Sequence, residues 1–172
     1  MIETTEGDLL KAPVEALVNA VNTVGVMGKG IALQFRQAYP QMFRDYARAC
    51  RSAEVQLGRM HIHDLGSLVA GPRWIINFPT KAHWRAQSRL SDIEAGLKDL
   101  VGVIERLQIR SVAVPALGCG LGGLNWTDVH ALIDAALGKL PDVRVLVFAA
   151  AAPLAAMAAP VISRRNSGPF SI

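Results

Sequence analysis

The segment VNAVNTVGVMGKGIA, residues 18–32, joins an apolar β-branched run to a stretch whose apolar residues have helical spacing. Between the two, the chain turns through Gly25, Gly28 and Gly30, and we call this turn the first glycine loop. Glycine accepts positive φ and lets backbone N–H groups approach an anion, and a helix N-terminus adds partial positive charge. The spacing fits neither the Walker pattern nor the dinucleotide fingerprint. On its own, the segment fits a phosphate-binding loop and a tight strand-to-helix turn equally well.

A second glycine-rich segment, VPALGCGLGGL at residues 114–124, also follows an apolar run and precedes a helical pattern. Four glycines fall within residues 118–123, which we call the second glycine loop. So many glycines lose much conformational entropy on folding, and a simple packing turn rarely carries that cost. Two facing nests of backbone N–H groups suit a pyrophosphate. The pair of loops therefore predicts a pyrophosphate-binding cleft, and two unrelated turns are the weaker interpretation.

Short apolar runs alternate with longer helical patterns along the chain. The predicted strands cover residues 2–5, 16–19, 60–64, 74–77, 111–114 and 143–148, and the predicted helices cover 30–38, 41–51, 91–107 and 127–140. Ser91 and Glu94 have the spacing of a capping box at the start of the third helix. Strands this apolar face water on neither side, so the sequence predicts an α/β protein with a three-layer α/β/α sandwich. Ligands of such sheets bind beyond the carboxyl ends of the strands, where both glycine loops lie.

The composition describes one ordered domain with a short extension. The chain has 172 residues, of which 51% are hydrophobic and 19% charged, and this suits a globular protein with a substantial core. We expect the domain to cover residues 1–150. An alanine-rich helix or tail, or the cut end of a longer chain, follows at 151–172. The uncharged run 145–163 contains Pro153 and Pro160, which argues against a membrane span.

The content of cysteine, histidine and charged residues indicates where the protein is located and what it can bind. The chain has only Cys50 and Cys119 and no apolar signal segment, so we expect a reducing, cytoplasmic location without disulfides. A net charge of +4 and an isoelectric point near 9.4 are mild evidence for a polyanionic partner. His61 and His63 alternate on a predicted strand without other residues at ligand spacing. We therefore expect no metal site. We also expect no cofactor and a monomer.

Polar side chains lie close to the first glycine loop. Asp8 follows Gly7 just after the first predicted strand, where a carboxylate suits an adenine amino group. A helix cap or an Asx-turn explains Asp8 as well. Asn19 ends the next predicted strand and Asn22 follows three residues later, and their amides suit ribose hydroxyls and local stabilisation of the turn equally.

A basic segment, residues 81–89, follows the fourth predicted strand as a loop. It carries Lys81, His83, Trp84, Arg85 and Arg89. Cations interleaved with an aromatic ring suit a phosphate backbone and a stacked base. A solvated surface charge is the usual explanation of a loop lysine, but this loop follows a strand whose carboxyl end faces the predicted cleft. That position favours a functional role.

Four short motifs together resemble the macrodomain family: GDL at 7–9, NAVN at 19–22, MGKGIA at 27–32 and GCGLGG at 118–123. The resemblance covers nearly all of residues 1–150. It implies a six-stranded mixed sheet and a cleft for ADP-ribose, with Asp8 at the adenine, Asn22 near the distal ribose and the loops around the diphosphate. The residues that it assigns to ADP-ribose binding are Asp8, Leu9, Asn19, Asn22, Met27, Gly28, Lys29, Gly30, Ile31, Gly118, Cys119, Gly120, Leu121, Gly122 and Gly123.

The finer match, through NFPTKAHWR at 77–85 and GCGL at 118–121, is similar to the DarG-like branch of the family. Members of that branch remove ADP-ribose from thymidine in single-stranded DNA and act as antitoxins to a DarT-like toxin, a DNA ADP-ribosyltransferase. The resemblance implies a DNA ADP-ribosyl glycohydrolase with Lys81 as its catalytic residue. It makes His83, Trp84, Arg85 and Arg89 the candidates for contact with DNA.

Several alternatives stay open at this point. The cleft fits a reader that binds ADP-ribose without cleaving it, or a hydrolase of protein-linked ADP-ribose or O-acetyl-ADP-ribose, although the basic segment argues against the latter. A related human glycohydrolase that acts on glutamate carries an aspartate where this chain has Gly122, which also counts against a protein substrate. Lys81 suits attack on the anomeric carbon and stabilisation of the departing base equally. DarG-like proteins continue into a further domain after about residue 148, so direct binding of the toxin is in question.

Overall fold

The computed structural model describes residues 1–66 and 70–150. In this part of the chain lie the strands β1 (Ile2–Thr5), β2 (Ala16–Asn22), β3 (His61–Asp64), β4 (Trp74–Lys81), β5 (Ser111–Val114) and β6 (Arg144–Phe148), and the helices α1 (Gly30–Ala38), α2 (Pro40–Arg51), α3 (Leu90–Arg106) and α4 (Trp126–Leu137). A short 3-10 helix, Leu9–Lys11, follows β1. No helix within the described ranges is both long enough and apolar enough to cross a bilayer. The helix or tail predicted at 151–172 lies outside the described residues.

One sheet organises the molecule, with its strands in the order β1-β6-β5-β2-β4-β3. Neighbouring strands are parallel except β3 and β4, which pair antiparallel, so the predicted six-stranded mixed sheet is confirmed. β2 and β4 are neighbours, and their carboxyl ends bring the segments after Asn22 and Lys81 to the same edge. β5 pairs with β2 on its other side, which brings the second glycine loop to that edge as well.

Helices cover both faces of the sheet. On one face, α3 and α4 bury side chains such as Ile93 and Val129 against the strands. On the other face, α1 and α2 bury Phe35 and Met42. The two apolar clusters lie on opposite sides of the strands because the strands are apolar on both faces. The predicted three-layer α/β/α arrangement is therefore confirmed.

Two neighbouring strands of the sheet, β2 and β4, run further than their sequence patterns indicated. β2 continues past Asn19 to Asn22, and β4 continues past Asn77 to Lys81 with Pro79 inside it. Proline removes a ladder donor and usually marks the edge or the end of a strand. In the described sheet β3 pairs with β4 only up to Asn77, and beyond that residue β4 pairs with β2 alone. Pro79 thus lies where one side of the strand is open, and such a place tolerates a missing N–H.

The starts of α3 and α4 also differ from the sequence prediction. α3 begins at Leu90, and the carbonyl of Arg89 accepts hydrogen bonds from amides of the first turn. The predicted capping box of Ser91 and Glu94 is wrong, because Ser91 already lies inside that turn. At α4 the cap is Asn125, whose side chain accepts two amide hydrogen bonds from the first turn.

Two glycines of α3 have opposite surroundings. A Cβ at Gly96 would overlap the ring of Phe78, whereas a Cβ at Gly102 would meet nothing within 4 Å. We expect Gly96→Ala to lower the free energy of unfolding by about 1–3 kcal/mol through overpacking. We expect Gly102→Ala to raise it by about 0.5–1 kcal/mol through helix propensity. Denaturant unfolding measures both, and equal effects of the two substitutions would contradict the close packing of Gly96 on Phe78.

Candidate functional site

The first glycine loop is fixed by the side chain of Asn22, the last residue of β2. Asn22 Oδ1 accepts hydrogen bonds from the amides of Val24 and Val26 at 3.0 and 3.3 Å, and Nδ2 donates to the Val26 carbonyl at 2.7 Å. The Tyr46 hydroxyl on α2 donates to the Asn22 carbonyl at 2.6 Å. Burial raises the pKa of Tyr46, so this phenol stays protonated. Asn22 therefore stabilises the turn, and its contact with the distal ribose stays a prediction.

The rest of this loop leads into an uncapped helix. Lys29 is the N-cap residue of α1, and its side chain makes no cap hydrogen bond. Gly30, the first residue of α1, has a φ of +58°, a conformation that favours glycine. An uncapped N-terminus offers its amides to an anion, which supports the predicted phosphate contacts of Gly28, Lys29, Gly30 and Ile31. Met27 is fully buried in the cluster under α1 and α2.

Asn19 lies inside the layer between the sheet and α2. Its Nδ2 donates to Asn77 Oδ1 at 3.0 Å, and Asn77 Nδ2 lies 3.1 Å from His61 Nδ1. Burial lowers the pKa of His61, so the neutral imidazole can accept this hydrogen bond. Asn19 is fully buried, and among the described residues its Oδ1 has no hydrogen-bond partner. The structure thus gives Asn19 a packing role, and its contact with ribose stays a prediction.

Asp8 caps the 3-10 helix that follows β1. Its Oδ1 accepts a hydrogen bond from the Leu10 amide at 3.1 Å, so the cap that was one interpretation of Asp8 is present. The carboxylate is 44% exposed and lies 3.7 Å from the solvated Lys11 ammonium. An adenine can still reach the carboxylate, and this contact stays a prediction. Leu9 is buried, which leaves its main chain as the group available to a ligand.

The second glycine loop packs against Ser88 of the basic segment. The Ser88 amide donates to the Gly122 carbonyl at 3.0 Å. A Cβ at Gly122 would overlap Ser88 Oγ and lie 2.5 Å from the Gly118 carbonyl oxygen. Gly118 has a φ of +71° and its carbonyl accepts the Leu124 amide at 2.9 Å, which closes the loop. No side chain fits at position 122, so the absence of a carboxylate there follows from the packing.

The other residues of this loop present mainly main-chain groups. The Gly123 amide donates to the Gly120 carbonyl at 3.2 Å. Cys119 is half-buried, and burial raises the pKa of its thiol to about 11, so it is no nucleophile at neutral pH. Leu121 is 65% exposed at the tip of the loop. Binding of ADP-ribose by this loop stays a prediction that the geometry supports.

Lys81 is the last residue of β4 rather than part of a loop, which corrects the sequence prediction. The strand register places it opposite Asn22, where the first glycine loop begins. Lys81 Nζ donates to the Trp84 carbonyl at 3.0 Å. Burial lowers the pKa of the ammonium, and within the described residues Lys81 forms no ion pair. The site thus holds a partly desolvated cation beside the predicted ribose position.

A tight turn after Lys81 presents Trp84 as a platform. The Trp84 ring is 43% exposed. The His83 ring stacks on it at 5.2 Å between centroids, and the Arg85 guanidinium lies 4.4 Å from its centroid. The Arg85 amide donates to His83 Nδ1 at 3.1 Å, which orients the imidazole ring. Arg89, the N-cap residue of α3, is exposed further along the segment. This arrangement of cations and rings suits a stacked base and its phosphates.

Three residues that support the site were missed by the sequence analysis. Tyr46 lies on the buried face of α2, where its hydroxyl gives no sequence signal. The Thr23 hydroxyl donates to the Ala82 carbonyl at 2.8 Å and so ties the first glycine loop to the basic segment. Ser88 ties that segment to the second glycine loop, and its Oγ is buried without a partner among the described residues. A small residue facing a glycine-rich loop was the available signal for Ser88.

The fold and the paired glycine loops define a macrodomain. The Macro domain family matches residues 18–133, and the chain belongs to this family. It is 57% identical over 148 residues to the DNA ADP-ribosyl glycohydrolase of Mycobacterium tuberculosis, covering 86% of this chain and 42% of that protein. The solved macrodomain of Mycobacterium tuberculosis DarG superposes with a TM-score of 0.86 at 56% identity, covering 88% of this chain and 99% of that one.

A fused relative extends the comparison. The chain is 37% identical over 153 residues to a DNA ADP-ribosyl transferase-DNA ADP-ribosyl glycohydrolase fusion protein of Thermosipho africanus, covering 81% of this chain and 39% of the fusion. A structure of Thermosipho africanus DarTG in complex with ADP-ribose matches with a TM-score of 0.79 at 35% identity, covering 90% of this chain and 42% of that one. The chain thus spans about two fifths of the length of these curated relatives.

Proposed function

We propose that this macrodomain is a DNA ADP-ribosyl glycohydrolase that removes ADP-ribose from thymidine in single-stranded DNA. The observation that carries the proposal is the position of Lys81. It ends β4 directly opposite Asn22, at the sheet edge where both glycine loops converge. The adjoining turn presents Trp84 with Arg85 over its ring, a surface for a base and its phosphates. The names of the M. tuberculosis and T. africanus relatives support this activity.

In this proposal the two glycine loops hold the diphosphate of ADP-ribose. The start of α1 donates main-chain N–H groups to one phosphate, and the second glycine loop encloses the other. The distal ribose then lies near Asn22, and its anomeric carbon faces Lys81 across the strand pair. The modified base projects toward Trp84. Fixing both ends of the glycosidic bond in this way removes much of the orientational cost of the reaction.

Lys81 acts in this proposal as an ammonium that assists departure of the base. The bond between the anomeric carbon and the ring nitrogen breaks, its electron pair stays on the base, and a Lys81 proton moves to the base. Water adds to the anomeric carbon, and the proton that it loses restores the ammonium through solvent. A covalent lysyl–sugar adduct would need a base for its release, and Gly122 offers no carboxylate there. The packing at Ser88 therefore favours the ammonium over the nucleophile.

Release of ADP-ribose from a defined strand tests the proposed function. A short synthetic single strand with one ADP-ribosylated thymidine is incubated with the protein, and free ADP-ribose and unmodified strand are quantified. We expect both products in equal amounts. An intact substrate after long incubation, with ADP-ribose still bound by the protein, would contradict catalysis.

The pH profile tests the charge state of Lys81. Burial lowers the pKa of this ammonium, so the protonated form is lost at a lower pH than for an ordinary lysine. If the ammonium is the active form, kcat/KM stays level near neutral pH and falls as pH rises through that pKa. Arginine holds its proton throughout this range, so we expect Lys81→Arg to lose the alkaline fall. A rate that rises with pH would assign Lys81 the role of an amine nucleophile instead.

We also propose a biological role, a location and an oligomeric state for this chain. The fused T. africanus relative joins a transferase to a glycohydrolase, which supports an antitoxin role against a DarT-like toxin. We propose that residues 1–150 form the catalytic macrodomain, that it acts as a cytoplasmic monomer, and that it reverses the modification rather than blocking the toxin. Restored growth of cells that express such a toxin together with this chain, and no rescue by an inactive variant, is the expected result.

A reader of ADP-ribosylated DNA is the second candidate. The observation in its favour is the hydrogen bond from Lys81 Nζ to the Trp84 carbonyl, which holds the ammonium within its own turn. A reader would bind the modified strand through the same loops and leave it intact. The release assay separates the two, because only the hydrolase liberates ADP-ribose.

A further inference from the structure

The outward face of α2 carries three arginines that the site described above does not use. Arg44, Arg48 and Arg51 follow one another at spacings of four and three residues, so they lie on one side of the helix. All three are exposed. The helical rise separates the first from the last by roughly 10 Å along the axis. We call this row the arginine stripe.

The positive charge of the arginine stripe is largely unopposed. Asp45, the acidic residue of α2, directs Oδ2 to His63 Nδ1 on β3 at 3.0 Å. Its ion pair with Arg48 is long, 3.9 Å, and such an exposed pair contributes little. Arg44 donates to a neutral glutamine. Within residues 1–66 and 70–150, Arg51 makes no ion pair.

The arginine stripe runs beside the first glycine loop. A Cβ at Gly25 of that loop would lie 3.4 Å from Cys50 Cβ and 3.5 Å from Ala47 Cα. Ala47 and Cys50 directly precede Arg48 and Arg51 in α2, so the arginines occupy the helix surface next to the one that the loop covers. The end of α2 therefore packs against the first glycine loop, one of the two loops of the candidate cleft.

The basic segment borders the same loop through other residues. Thr23 of the loop is hydrogen-bonded to the Ala82 carbonyl at 2.8 Å, and Lys81 lies opposite Asn22 in the sheet. A strand that places its modified base at Lys81 thus meets Trp84 on one side of the first glycine loop. On the side of α2 it meets guanidinium groups, which bind phosphates with matching fork geometry.

We propose that the arginine stripe binds backbone phosphates of single-stranded DNA that flank the modified nucleotide. This inference rests on the proposed function, because it takes the modified strand as the ligand of the cleft. The stripe extends the footprint on DNA beyond the basic segment and adds affinity without sequence preference, as phosphate contacts do. Longer strands consequently bind more tightly than a modified trinucleotide.

A pair of matched double variants tests the inference. Arg48→Gln/Arg51→Gln removes two cations of the stripe on a helix surface that tolerates glutamine. Arg106→Gln/Arg110→Gln removes two exposed cations, one at the end of α3 and one just before β5. Both lie near the amino end of β5, away from the carboxyl ends of the strands where the loops lie. Fluorescence anisotropy measures binding of an unmodified strand of about twenty nucleotides over a salt series, a length that exceeds the footprint of one small binding fold.

We expect the stripe variant to bind the long strand about five- to tenfold more weakly at low salt, with a salt slope smaller by about 1.4. The control variant stays within about twofold of the parent, which allows for its lower net charge. KM for a long modified strand rises with the loss of binding, whereas kcat and turnover of a modified trinucleotide stay unchanged. Binding of ADP-ribose is equal in all three proteins.

Two results would overturn the inference. One is parent-like binding of the long strand by the stripe variant, which would assign the arginines to a different anionic partner. The other is an equal loss on the trinucleotide, which would show that the arginines act through the cleft. A parent that hydrolyses neither modified substrate refutes the proposed function instead, and the binding of the unmodified strand still decides on the stripe.

Discussion

Lys81→Ala is expected to lose about a thousandfold in kcat on ADP-ribosylated single-stranded DNA, within the range that general acid–base groups contribute. The variant removes the ammonium that lies opposite Asn22 at the end of β4. Binding of ADP-ribose should change by less than about threefold, because in the proposed function main-chain groups of the glycine loops hold the phosphates. Single-turnover assays give the rate of the chemical step, and calorimetry gives the affinity for ADP-ribose.

Two further variants make this result specific. Lys98→Ala removes an exposed lysine of α3 and should leave turnover unchanged. Lys81→Arg keeps the positive charge but holds its proton too tightly to donate it, so it should recover only part of the rate. Parent-like turnover by Lys81→Ala would exclude Lys81 from the mechanism. A matching loss of ADP-ribose binding would make it a binding residue instead.

Gly122→Ala is the substitution with the second largest expected effect. The new Cβ would overlap Ser88 Oγ and lie 2.5 Å from the Gly118 carbonyl oxygen, so the second glycine loop must move. We expect the dissociation constant for ADP-ribose to rise at least about tenfold, which corresponds to roughly 1.4 kcal/mol. The melting temperature should also fall, because movement of the loop would distort the hydrogen bond from the Ser88 amide to the Gly122 carbonyl.

The same chemical change elsewhere provides the control. Gly102→Ala adds a methyl group to the open side of α3, where nothing lies within 4 Å, and should not weaken binding of ADP-ribose. Gly120→Ala, at another position with open space in the free protein, separates steric strain in the loop from a clash with the ligand itself. If Gly122→Ala bound ADP-ribose like the parent, the tight contact with Ser88 would not determine the shape of the loop.

Local patterns predicted the layers of this fold but not its boundaries. The apolar runs predicted all six strands, because burial on both faces leaves a plain sequence signal. The end of β4 was misplaced because proline usually ends a strand. Pro79 is tolerated because the short partner strand β3 does not extend to it, and this pairing is visible only in the structure. The start of α3 was misplaced because Ser91 and Glu94 have the spacing of a capping box but lie inside the helix. Such errors arise where tertiary pairing overrides local preference.

In the candidate site, too, some features could be predicted from the sequence and others could not. Glycine spacing indicated the two loops. Gly30 and Gly118 have positive φ, a conformation that favours glycine, so the backbone geometry leaves a signal in the sequence. The residues that hydrogen-bond to the loops gave no sequence signal, because Tyr46 and Ser88 are distant in sequence from the groups to which they donate. Asn19 and Asn22 were ambiguous for a related reason. An amide suits a ribose and a turn equally, and only the structure reveals the turn bonds of Asn22.

The basic segment is hydrogen-bonded near each end to a different glycine loop, through Thr23–Ala82 and Ser88–Gly122. This bracing gives the site a property of thermodynamic linkage. In the proposed function, any order that ADP-ribose imposes on the loops would extend to the basic segment, and a favourable coupling between ADP-ribose and DNA would act in both directions by the same factor. A strand that still carries its ADP-ribose would gain this coupling, whereas either product binding alone would not. We therefore expect cleavage to weaken the binding of both products, which favours their release before the next strand binds.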